Sequence, residues 1–177
     1  MIRTAFPLAC LLALTACTVE TDQEVPLVAE TTTASEPARP SLAGQDYDPI
    51  LALRGLDPQW NEPPLHADKN YNASLGLDRT SYLWRNTSIN YDRTDEGSVF
   101  MIQVRSGLPG RCSSGPDLGL AFDQFAKDFN LAGQGGEMRP KLIAAWASND
   151  GQAEGELGNV MVRAIGGCPR ALVIKAL

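Results

Sequence analysis

The chain has 177 residues, of which 44% are hydrophobic and 20% charged, with a formal net charge of −6 and four cysteines. That is enough for one globular domain with additions. Its acidic balance and the absence of any Lys/Arg cluster exclude the basic face needed to neutralise nucleic-acid phosphates or to dock on anionic lipid.

An apolar run from Ala5 to Ala16 follows Arg3. A helix needs about 20 apolar residues to cross a bilayer, so this run is too short to span one. A charged start, a short apolar middle and the small residues Thr15 and Ala16 predict a secretory signal over residues 1–16. A buried N-terminal helix is the alternative, but Pro7 and the polar switch after Cys17 oppose it.

Leu14-Thr15-Ala16-Cys17 resembles the lipobox of bacterial lipoprotein precursors, which reads aliphatic, small, small, Cys. The resemblance covers only the leader and says nothing of the domain. It implies cleavage between Ala16 and Cys17, a diacylglycerol thioether on Cys17, and acylation of the new amine. One acyl chain binds membranes marginally, whereas two or three hold firmly. The implied location is the bacterial cell envelope, with the membrane as a partner through the lipid. Thr18 stands where the family's retention signal carries Asp, which favours the periplasmic face of the outer membrane. The inner membrane stays open as an alternative.

Cys10 lies in the leader, and Cys17 is assigned to lipid. Cys112 and Cys168 remain, an even pair in an oxidising compartment, and a disulfide between them is expected. It would close a loop of about 57 residues, worth roughly 4 kcal/mol on chain entropy. A zinc site would need more ligands than two Cys and one His, and a redox pair usually has CxxC spacing.

Residues 17–45 lack aromatics and are rich in acids, Thr and Pro. They read as a flexible acidic linker averaging roughly 30 Å end to end, with an edge strand at Val25–Ala29 as the alternative. Residues 46–177 form the expected globular domain. Asp48 and Pro49 predict a short helix ended by Gly55, and 57–78 reads as loop. Thr80–Tyr91 predicts one or two strands, and 92–97 a turn. Ser98–Arg105 predicts a strand with Phe100, Ile102 and Val104 on one face and Val99 and Met101 on the other. Leu118, Phe122, Phe125 and Phe129 recur at helical spacing, with Asp117 or Ser114 as cap and Gly133 as stop. Lys141–Ala147, Asn159–Ile165 and Ala171–Leu177 read as strands, and 148–158 as an acidic turn region. The expected fold class is α+β: an antiparallel sheet of about five strands, one amphipathic helix on a face, and a short N-terminal helix.

No catalytic set, metal site or cofactor motif stands out. His66 is the single histidine, and no GxSxG elbow accompanies it. Carboxylates in a glycosidase pair would come from Asp92, Asp95 and Glu96, or from Glu154 and Glu156. Asp150, Glu154 and Glu156 have the wrong spacing for a calcium loop. The aromatics Trp60, Trp84, Trp146, Tyr71, Tyr82 and Tyr91 could line a carbohydrate surface; their dispersal favours the core for most, with Trp60 and Tyr71 exposed. These readings point to a non-enzymatic binding or accessory module acting on another envelope protein or a cell-wall component. A small envelope enzyme acting on glycan or peptidoglycan, and a small-ligand carrier with a pocket under the Phe helix, are the alternatives.

Overall fold

A computed structural model describes residues 38–107 and 115–177, and these form one compact unit. The expected signal over 1–16, Cys17 and most of the linker lie outside the described residues.

Two Asp-Pro pairs start the domain's short helices. Asp48 accepts from Ile50 N to cap α1 (Pro49–Leu53), and Asp57 accepts from Gln59 N to cap α2 (Pro58–Asn61). In each, Pro at the first position has no N–H left unsatisfied. Only the first of the two was expected.

The strands are β1 (His66–Asn72), β2 (Leu77–Leu83), β3 (Thr87–Arg93), β4 (Val99–Ser106), β5 (Gln152–Leu157), β6 (Val160–Ile165) and β7 (Arg170–Ala176). They form one antiparallel sheet in the order β1-β2-β3-β4-β7-β6-β5. Two meanders are thus joined by the β4–β7 pair. Between them the chain makes α3 (Leu118–Asp128) and α4 (Ala132–Ala147).

The architecture is mixed α+β as expected, but the sheet has seven strands, not about five. The two missed strands, β1 and β5, are the edges. β1 carries His, Asp, Lys and Asn and is exposed along nearly its whole length, so no inward face marks it. Its ladder to β2 alone makes it a strand. β5 does alternate, but its inward residues are only Ala153, Gly155 and Leu157. Conversely, Lys141–Ala147 is the second half of α4, not a strand. Met138, Leu142, Ala145 and Trp146 are buried at helical spacing. Pro140 inside α4 removes one hydrogen bond, and its ring crowds the carbonyl of Gly136.

Asp117 caps α3 as expected, accepting from Gly119 N at 2.7 Å. Gly133 does not stop it. The chain turns earlier, at Asn130, whose φ of 56° is left-handed, and Gly133 lies inside α4. In β4, Asp92 faces Met101 while Arg93 faces Val99, leaving Phe100 as an extra residue. This bulge returns Val99 to the core, where it is fully buried, instead of the outer face.

Register places Ile89 and Tyr91, Ile102 and Val104, Leu172 and Ile174, and Val160, Val162 and Ala164 on one face. Phe122, Phe125, Leu142 and Trp146 pack on that face in a single core. α4 lies over β5 and β6, and α3 over β4 and β7. The helix layer therefore covers one half of the sheet more fully than the other.

Residues 38–47 are tied to this unit. Leu42 N donates to Val99 O and Val99 N donates to Ala43 O, so the segment extends the sheet beyond the end of β7. Arg93 donates to the carbonyls of Gln45, Gly97 and Tyr47. Tyr47 Oη donates to Asp128 Oδ2 at 2.7 Å, and its ring meets Phe129. Burial, first of all, and then the Asp128 carboxylate push the Tyr47 hydroxyl's pKa well above its ordinary value.

At the opposite end of the sheet, Gly166 N donates to Gly151 O and Gly167 N to Ser148 O, locking the β6–β7 connection against the end of α4. A Cβ on Gly166 would overlap the carbonyl oxygens of Ala145 and Ser148. Gly166→Ala is expected to cost at least about 2 kcal/mol, because the obstruction is backbone and cannot rotate away. Urea melts of the two proteins would measure this, and an unchanged midpoint would contradict it.

Candidate functional site

Cys17 and Cys112 lie outside the described residues. Cys168 is exposed in the β6–β7 connection and is not a free thiol. His66 is exposed at the start of edge strand β1.

The acidic candidates do not converge. Asp95 and Glu96 are exposed in the β3–β4 turn, and Glu154 and Glu156 point outward from β5. Glu154 stands 3.6 Å from Arg163. Asp150 is exposed and accepts from Ser148 Oγ. Among the described residues no group of three His, Cys, Asp or Glu side chains could hold a metal ion, so the Asp150, Glu154 and Glu156 set does not assemble.

Asp92 is the exception among the acids. It sits on β3, fully buried, not in the expected turn. Arg79 Nε and Nη2 donate to its two oxygens at 2.8 and 2.9 Å, and Asn72 Nδ2 donates to Oδ1 at 3.3 Å. The hydrogen bond to Asp92 pushes the Arg79 pKa above its ordinary value, with burial opposing it. Three donors thus hold this carboxylate, two of them from one guanidinium. Asp92 and Arg79 form an ion pair on the sheet face away from the core.

The aromatic candidates also divide. Trp60, Trp84 and Trp146 are buried, which corrects the expectation that Trp60 is exposed. Trp84 Nε1 donates to Glu62 O and Trp146 Nε1 to Ala171 O. Tyr71 is 65% exposed, as expected. Tyr82 and Tyr91 do something else: they floor a hollow of about 600 Å³.

The hollow occupies the core-side face of β1–β3. Register puts Lys69, Asp78, Thr80, Tyr82, Tyr91 and Arg93 on that face together. Gln45 and the 94–97 turn complete its wall. The Tyr82 and Tyr91 rings lie 6.3 Å apart and within 23° of parallel, and Trp84 stands 6.1 Å from Tyr82. Burial, and then the neighbouring Tyr91, raise the pKa of the Tyr82 hydroxyl above its ordinary value.

The charges here are largely committed. Arg79 pairs with Asp92 on the opposite face, and Arg93 both covers the Tyr91 ring at 5.1 Å and donates to three carbonyls. Among the described residues Lys69 forms no ion pair. The Thr94 hydroxyl is buried and has no partner. The hollow thus has an aromatic floor and a rim of hydrogen-bonding groups.

Sequence reasoning named Tyr82 and Tyr91 among the aromatics but not Lys69 or Thr94. The available signal was the 84–86 turn, which sets Tyr82 against Ile89 and Thr80 against Tyr91. Comparisons with family models, curated proteins and solved structures find no match.

Arg79→Met leaves Asp92 buried and unpaired, and is expected to cost about 3 kcal/mol, the low end for a broken buried pair because Arg79 stays 27% exposed. Adding Asp92→Leu should recover most of that loss. Chemical denaturation of both single variants and the double variant measures the coupling; a double variant no more stable than Arg79→Met would contradict it.

Proposed function

We propose that this chain is a lipid-anchored protein of the bacterial cell envelope whose domain is a non-enzymatic binding or accessory module. The observation that carries the binding reading is the hollow over β1–β3, where fixed aromatic rings and hydrogen-bonding groups gather without a reactive set. The enzyme alternative needs two convergent carboxyls, and among the described residues the one fully buried carboxyl, Asp92, is held by Arg79. The carrier alternative needs an apolar chamber under the Phe helix, and Phe122 and Phe125 are packed into the core there. The lipobox over Leu14–Cys17 supports the anchor, with the outer membrane's periplasmic face as its site. The partner is another envelope protein or a cell-wall component; no cofactor or metal is invoked.

The reading also pairs Cys112 with Cys168. Cys168 sits between two strands, where a link to 108–114 would tie the two meanders by a covalent route.

Intact mass of protein extracted from its own membrane should lack residues 1–16 and carry diacylglycerol on Cys17. Cys17→Ser should appear in the soluble fraction; a variant that stays membrane-bound sinks the anchor. Non-reducing peptide mapping of the same sample should link Cys112 to Cys168, and two free thiols there would refute the pair. Crosslinking in the intact envelope should recover a specific partner. Recovery of none, together with turnover of a cell-wall substrate, would favour the enzyme.

A further inference from the structure

We propose that the hollow over β1–β3 binds an uncharged sugar, with one pyranose ring lying on Tyr82. The proposal rests on the binding-module reading and gives it a ligand class.

Four features carry it. First, α3 and α4 lie over β4–β7 and not over this part of the core-side face, where Tyr82 is only half-buried and Tyr91 on the next strand is buried. Second, Tyr82 is held in one orientation by Tyr91 and Trp84, the near-parallel ring and the tilted one. A half-exposed ring held in place offers apolar contact at low entropic cost, and the C–H face of a pyranose is the flat, weakly apolar complement of such a ring.

Third, the charges cancel. Arg79 and Asp92 pair on the opposite face, and among the hollow's own side chains Lys69 and Arg93 are equalled in number by Asp78 and Asp95. Such a rim has little field with which to select an anion or a cation, yet it offers donors and acceptors to hydroxyl groups. Fourth, Gln45 and Thr80 line the hollow with side-chain donors and acceptors, and neither is fully buried. The volume of about 600 Å³ falls among small-molecule sites.

The test uses the full chain in detergent micelles, titrated by saturation-transfer NMR with cellotriose, chitotriose, maltotriose and a sulfated trisaccharide. At least one neutral trisaccharide is expected to bind at millimolar concentration or tighter. Tyr82→Ala should weaken it at least tenfold, and Lys69→Ala, on the exposed edge, several-fold. Tyr82→Phe should retain binding, and so should Tyr71→Ala, whose exposed ring does not line the hollow. Circular-dichroism melts exclude unfolding as the cause of a loss. Binding by none of the neutral sugars, tighter binding of the sulfated one, or affinity unchanged in both Tyr82→Ala and Lys69→Ala would overturn the proposal. If envelope crosslinks persist while no sugar binds, the sugar site falls and the binding module stands. If a bound sugar is cleaved, the site stands and the non-enzymatic reading falls.

Discussion

Ile102 lies opposite Ile174 and Val104 opposite Leu172, and this register between β4 and β7 is the ladder that joins the first four strands to the last three. All four side chains are buried on the face that receives α3 and α4. A slip of one residue would turn all of them to the outer face, so burial fixes the register. The rest of the fold depends on it. The helices find their seat over β4–β7, and α4 reaches out over β5 and β6 because those strands extend from β7.

The same arrangement decides what is left open. Helices that cover the β7 side cannot also cover β1–β3, and the strands farthest from the core lose their apolar alternation. β2 and β3 nevertheless hold two stacked tyrosines and an arginine that donates to three backbone carbonyls. The segment 42–47 closes one end by pairing with Val99 and accepting from Arg93. Thus the approach to the domain and the wall of the hollow are one piece of chain. Any ligand bound against Gln45 would lie beside the route by which the domain joins its linker.

The elements read correctly from sequence share a physical property. β3, β4, β6, β7 and α3 each bury an apolar stripe, and periodicity reports burial. β1 and the second half of α4 defeated that signal in opposite ways. His66–Asn72 has no stripe because nothing covers an edge, so its strand exists only as a partner to β2. Lys141–Ala147 is short and apolar enough to suit either period, and α4 wins because Met138, Leu142, Ala145 and Trp146 all reach the core only on a helix. Asp92 was a turn acid by composition and is a buried clamp by register, because β3 runs one residue past it and Arg79 faces it across the ladder. The bulge at Phe100 was equally invisible, since one extra residue in a strand leaves its composition unchanged.

By itself the sequence determined the local features: the Asp48-Pro49 start of α1, the Phe face of α3, and the chain's acidic character. These depend on residues within a few positions of one another. Only the tertiary structure decided which faces met. It placed Lys69, Thr80, Tyr82, Tyr91 and Arg93 around one hollow, paired Arg79 with Asp92, and buried all three tryptophans. Strand register and helix coverage set those outcomes, and both are fixed by long-range burial that no short window of sequence contains.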